Sequence, residues 1–245
     1  MMHLSQQAGL TNVGRVRKNN EDAFAILPDM HLALVADGMG GAACGEVASG
    51  LAVKSIGDYF TLTCDLPPAE LVEGSIRFAN DRVWQAAQTP NGCDGMGTTL
   101  VMAHWDKDQL WLANVGDSRG YILRRGTLQQ LSYDQNLAND LRETLQLTDE
   151  QIATYPQRHA LTMAIGTRAD VQFRMCQGAL QDGDTLLLCS DGLTNPVSDA
   201  AITAILLSNG SLNVAAEALV DAAINGGGTD NVTVVLLRFS AHKFW

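Results

Sequence analysis

Apolar residues fall along this chain in two rhythms. The first is a set of short, nearly continuous runs: Leu32-Ala33-Leu34-Val35, TTLVMAHW (98–105), QLWLANV (109–115), TLLLCS (185–190) and NVTVVLLRF (231–239). These are rich in β-forming residues and separated by DKD, GDSRG and RGT, so they predict strands joined by hairpins. GYILRR (120–125), TLQQLS (127–132) and VQFRMCQGAL (171–180) belong to the same set. The second rhythm has apolar positions three and four residues apart. Val47, Leu51 with Ala52, and Ile56 predict a helix over about 45–59, and Val72, Ile76, Ala79, Val83 and Ala86 predict one over about 69–88. DLPPAE (65–70) breaks the pair. Two more helices are predicted at about 198–208 and 211–224, the latter presenting Leu212, Ala216, Leu219 and Ala223 on one face. Residues 136–160 are polar and helical in pattern, with Thr148-Asp149-Glu150-Gln151 as a capping box.

The order is strand, helix pair, many strands, helix pair, strand. Hairpin-linked strands favour antiparallel sheet, and the helix pairs need apolar surfaces to cover. The expected fold is α+β: two packed antiparallel β-sheets flanked by helix pairs, a four-layer α-β-β-α sandwich formed by one domain over residues 1–245.

Charge narrows the partners. With 27 acidic against 16 basic residues the net charge is −11, which argues against nucleic acid or an anionic membrane as partner. MMHLSQQAGL lacks the basic start and apolar stretch of a signal peptide, and no apolar run is long enough to span a bilayer. Cys44, Cys64, Cys93, Cys176 and Cys189 are odd in number and without CxxC spacing. They are expected to be reduced thiols of a cytoplasmic protein.

Candidate chemistry lies where strands end. LALVADG carries a buried strand into Asp37 and Gly38, and TLLLCSDG does the same at Asp191 and Gly192. LWLANVGDS ends at Asp117, Asp230 stands just before the last strand, and Glu21 and Asp22 sit in RKNNEDAF. One such aspartate is a turn. Several at the ends of buried strands of one domain are expected to share one rim, where like charges repel unless a cation gathers them. None of the five histidines lies in these motifs, and an oxygen-only set suits Mg²⁺ or Mn²⁺ better than Zn²⁺. Arg17, four residues before Glu21, is suited to hold a phosphate beside such a rim.

The ordered series R-x-x-N-E-D (17–22), D-G-M-G-G (37–41), G-E-x-A-S (45–49), G-T-T (97–99), G-D-S-R (116–119), S-D-G-L (190–193) and T-D-N-V-T (229–233) resembles that of the PP2C-type (PPM) metal-dependent serine/threonine protein phosphatases, in their bacterial branch. The resemblance covers nearly the whole chain and implies the same two-sheet sandwich. It implies hydrolysis of phosphoserine and phosphothreonine by direct attack of a water bridging two metal ions, Mn²⁺ or Mg²⁺. It assigns Asp37 as the bridging ligand, Gly38 as a carbonyl ligand, Asp191 and Asp230 to one ion, and Asp22 to the other, directly or through water. Asp117 would serve a third, weaker ion, Arg17 the phosphate, and residues 136–160 a substrate-facing flap. The implied partners are phosphoprotein substrates and a bacterial Ser/Thr kinase that the enzyme opposes, with secretion-system regulation as one such setting and a monomer as the working unit.

The chain departs from the pattern in three places. Ala42 replaces a common histidine after DGMGG, Asp134-Gln135-Asn136 replaces D-H-[ST], and Thr162-Met163-Ala164-Ile165-Gly166 replaces T-R-A-x-G. The proton donor to the leaving group is therefore open. His159 at the flap's end is the one nearby candidate, and its expected state is a solvated loop histidine. Two other functions compete. A phosphoprotein-binding pseudophosphatase would be favoured by a missing bridging acid, and all the acids are present. Gly116-Asp117-Ser118-Arg119-Gly120 matches the G-x-S-x-G elbow of a serine esterase, but that motif must open a helix, and a hairpin is predicted here.

Overall fold

The computed structural model describes residues 1–40, 44–63, 65–89 and 93–241. Its strands are β1 (Met2–Asn12), β2 (Asp22–Leu27), β3 (Leu32–Met39), β4 (Gly97–Thr98), β5 (Leu100–Asp106), β6 (Gln109–Val115), β7 (Arg119–Arg124), β8 (Thr127–Gln130), β9 (Arg174–Ala179), β10 (Thr185–Cys189) and β11 (Val232–Ala241). The helices are α1 (Cys44–Leu62), α2 (Pro68–Ala87), α3 (Leu137–Leu145), α4 (Asp149–Ile152), α5 (Asp191–Thr194), α6 (Asp199–Ser208) and α7 (Leu212–Asn225). One sheet runs β1-β11-β10-β7-β8 and the other β2-β3-β5-β6-β9, with β4 added beside β3. Every pairing is antiparallel.

The period-two geometry of a strand explains the layers. In β3, Leu32 and Leu34 face α1 and α2, in one core with Ile56, Val72, Ile76 and Val83. Their neighbours Ala33 and Val35 face the other sheet, meeting a core that contains Ile122, Leu186, Leu188, Val235 and Leu237. On the far side, Leu187, Val234 and Leu236 pack under Ile202, Leu206, Leu219 and Ala223 of α6 and α7. Both faces of the inner strands β3, β5, β6, β10 and β11 are covered, which is why these antiparallel strands read as continuous apolar runs rather than alternating ones. The four-layer sandwich expected from the sequence is the fold observed.

One strand was not anticipated and one expectation is corrected. β1 carries no strand signal in the sequence, yet it pairs along nearly all of β11. And the cysteines are not all free: Cys44 at the start of α1 is bonded to Cys93, with Cα atoms 5.4 Å apart across a sequence separation of 49. The pair is made by the tertiary fold across that separation, so local spacing holds no sign of it. Cys176 and Cys189 are free thiols, and Cys64 lies outside the described residues.

Candidate active site

The strand ends meet at one edge of the sandwich. A cavity of about 460 Å³ there is lined by Arg17, Lys18, Glu21, Asp37, Gly38, Asp117, Asp191 and Asp230, together with Thr99, His159 and Leu161 among others. Six of the seven predicted site residues line it. The seventh, Asp22, lies beneath the cavity at 8% exposure.

The remaining residues of each motif are the struts of this floor. Asp37 is held at both backbone groups: its N–H donates to Thr99 Oγ1 (3.0 Å), and its carbonyl accepts from Thr99 N–H (2.8 Å) and Thr98 Oγ1 (2.9 Å). Thr99 Oγ1 is in turn hydrogen-bonded to Ser118 Oγ at 2.7 Å. The Glu21 carbonyl accepts from Gly38 N–H (3.0 Å) and Ser49 Oγ (2.6 Å), and Glu21 N–H donates to Asn231 Oδ1 (2.8 Å). Gly38 has no room for a side chain, since a Cβ there would run into the carbonyls of Gly45 and Glu21. Gly192 is equally closed by the Asn231 carbonyl. Each aspartate-glycine step thus lets one backbone segment lie directly on another.

The electrostatics are those of a crowded acid cluster. Burial, then the charges of Asp22, Asp191 and Asp230, hold Asp37 well above the usual carboxylate range. Asp22 is raised to about 6, first by burial; hydrogen bonds from Thr233 Oγ1 (2.6 Å) and Ser190 Oγ (2.8 Å) to its Oδ2 oppose the rise. Asp117 is raised to about 7 by burial, then by Asp191 and Asp134. Asp191 is raised by burial and by Asp230, against a 3.0 Å hydrogen bond from Asn195. Asp230 is paired with Arg17 at 2.9 Å.

This cluster fits hard divalent cations. The buried Oδ1 atoms of Asp22 and Asp191 have no hydrogen-bond partner. An unpaired buried carboxylate oxygen is costly unless a cation or water meets it, and the mutual repulsion is of the kind a cation relieves. Among the described residues, no three acidic, imidazole or thiol groups have converged on one coordination point; Asp230 is turned instead toward Arg17.

The structure also decides against the esterase. Ser118 is fully buried, and the residue after it opens β7 instead of a helix. Ala42 lies outside the described residues. What sequence reasoning missed is the set of struts and the presence of Lys18 on the cavity wall; His159, named there as the nearby proton-donor candidate, is on that wall too.

Residues 14–222 match the family Protein phosphatase 2C, and the chain belongs to it. It is 39% identical over 202 residues to the serine/threonine phosphatase stp of Listeria welshimeri, covering 80% of each chain. The catalytic domain of the serine/threonine protein phosphatase PstP, solved with two manganese ions, superposes with a TM-score of 0.85 at 33% identity, covering 98% of this chain and all of that one. PppA, described as a key regulatory component of T6SS in Pseudomonas aeruginosa, superposes with a TM-score of 0.82 at 31% identity over 96% of this chain and 99% of its own.

Proposed function

We propose that this chain hydrolyses phosphoserine and phosphothreonine in proteins, in a metal-dependent reaction at the cavity above. The observation that carries the reading is the gathering of Glu21, Asp37, Asp117, Asp191 and Asp230 with Arg17 around one polar cavity. In this reading Asp37, Asp191, Asp230 and the Gly38 carbonyl hold the core ions. Asp22, beneath the cavity, would hold the second of them directly or through water, and Asp117 would hold a third. Mn²⁺ or Mg²⁺ supplies an activated water and neutralises phosphoryl charge when bound.

The chain's own groups do the rest. Arg17, half exposed at the cavity edge, can turn from Asp230 to a phosphate and hold two of its oxygens through parallel N–H donors. Thr99 and Ser118 keep Asp37 fixed, so the charge on the floor does not move as substrate enters. The flap over 136–160 borders the cavity through His159 and faces the protein substrate.

The substrates are phosphoproteins made by a Ser/Thr kinase, and the likeness to PppA supports a setting in secretion-system control. One domain acting as a monomer, away from nucleic acid and membrane, belongs to the same reading. No helix among the described residues is long and apolar enough to cross a membrane. A cytoplasmic site suits kinase-made substrates, while the Cys44–Cys93 bond weighs against it, cytosolic disulfides being uncommon.

The test is hydrolysis of p-nitrophenyl phosphate and a phosphothreonine peptide with Mn²⁺ or Mg²⁺. Turnover that persists in full under excess chelator defeats the metal-dependent reading. Tight peptide binding without metal-stimulated turnover would favour the pseudophosphatase.

A further inference from the structure

Hydrolysis of a serine or threonine phosphate leaves an alkoxide, which departs only if a proton reaches its oxygen as the phosphorus–oxygen bond breaks. The described lining of the cavity contains five carboxylates, a guanidinium (Arg17), an amine (Lys18) and one imidazole, His159. Histidine is the side chain that carries and releases a proton near neutral pH.

His159 is exposed, as a loop histidine should be, but it is not free to wander. The backbone on either side of it is tied to the start of α3: Ala138 N–H donates to the Arg158 carbonyl (2.9 Å), and Leu137 N–H to the Ala160 carbonyl (2.9 Å). Asn136 and Leu161 form an isolated antiparallel bridge, and Thr162 N–H donates to the Gln135 carbonyl (3.0 Å). Gln135 then grips Gly116 twice, its N–H donating to the Gly116 carbonyl (2.9 Å) and its Oε1 accepting from Gly116 N–H (2.8 Å). Gly116 precedes Asp117 on the cavity wall. An unbroken line of hydrogen bonds therefore runs from the acidic floor, through Gln135 and the start of α3, to the backbone that carries His159.

From this tether and the cavity wall we infer that His159 is the general acid of the reaction. The inference rests on the phosphatase reading above. Water adds its oxygen to phosphorus, and the phosphorus–oxygen bond to the side chain breaks with its electron pair going to the leaving oxygen. His159 gives that oxygen its ring proton, and the products are the free alcohol and inorganic phosphate. The proton lost by the attacking water returns the imidazole to its acid form through solvent. The charged groups sharing the cavity with His159 are Arg17, Lys18 and Glu21 before β2, Asp37 on β3, Asp117 after β6, Asp191 on α5 and Asp230 before β11; on its own segment Arg158 is adjacent.

The experiment compares wild type with His159→Gln and His159→Ala on a phosphoserine peptide and on p-nitrophenyl phosphate, whose leaving group scarcely needs a proton. The expected result is a fall in peptide kcat of about 100-fold or more, the range for a lost acid, with p-nitrophenyl phosphate turnover within about threefold of wild type. A fall of peptide kcat at high pH should be present in wild type and absent from the variants, and Mn²⁺ affinity measured by calorimetry should not change. Peptide kcat within about tenfold of wild type overturns the assignment. So does an equal loss on both substrates, or a change confined to KM, since these are the marks of a structural or docking role. Wild type inactive on both substrates would refute the phosphatase reading itself, and this assignment with it.

Discussion

Asp22 makes the metal-free protein sensitive to pH in an unusual direction. Its carboxyl is buried, one oxygen is unpartnered, and its pKa rises from 3.8 to about 6. A group whose folded pKa is raised binds its proton more tightly in the folded state. Its penalty is absent below the unfolded pKa and accumulates as pH climbs through 3.8 toward 6. Between pH 4 and pH 7.5 the folded state should lose roughly 2.5 kcal/mol from this residue alone, at about 1.4 kcal/mol per pKa unit. For a chain of this size that is a fall in Tm of roughly 5–10 °C. Other acids, and the net charge, push the same way, so the contribution is isolated with Asp22→Asn. Asparagine keeps an acceptor for Ser190 and Thr233 and adds only a pH-independent cost. The assay is thermal unfolding in chelator across that pH range, for wild type and variant. The wild-type curve should fall more steeply by the stated amount. Saturating Mn²⁺ should reverse the trend, because the ionised carboxylates are the ones that bind it. Identical pH slopes for the two proteins in chelator would refute the reasoning.

Asp37→Asn should reduce turnover by at least about 10³-fold while leaving the metal-free Tm unchanged or higher, because a buried repulsive charge is removed; near-normal kcat would defeat its assignment. Arg17→Ala should lower kcat/KM roughly 10–100-fold, the value of charged hydrogen bonds to phosphate, with the change mainly in KM. A collapse of kcat together with weaker Mn²⁺ binding would show that Arg17 serves chiefly to hold Asp230. Cys93→Ser opens a long covalent loop and should lower stability by up to about 4 kcal/mol by loop-closure entropy with p-nitrophenyl phosphate kcat retained; an unchanged Tm would count against the Cys44–Cys93 bond.

The legible parts of this fold were those whose burial is two-sided. β5, β6, β10 and β11 are sealed between sheet and helices, so their apolar runs declare them. β1 is an edge strand, and only Ala8 of its eleven residues is buried, so MHLSQQAGLTN has no pattern to read. The acids of the site were readable because the same strand-to-aspartate step recurs. Their supports were not: Ser49, Thr99, Ser190 and Thr233 are ordinary hydroxyl residues until the fold brings each against a backbone or carboxylate it must hold. Gln135 and Asn136 look like losses from a motif, yet in the structure Gln135 binds Gly116, and Asn136 caps α3 by accepting from Asn139 N–H at 3.0 Å. The place of His159 depends on how α3, α4 and the turns after them fold back, and that path is written in backbone hydrogen bonds rather than in side-chain periodicity.

The bond between Cys44 and Cys93 turns the helix pair into a ring. α1 and α2 lie wholly within it, and exposed Leu66 between them is a natural place for a protease to cut. A chain cut there has two pieces that remain one molecule while the bridge stands, so it migrates as intact protein without reductant and as two fragments with it. The strand that carries Asp37 would then be part of one fragment, and Thr98 and Thr99, which hold that aspartate in place, part of the other.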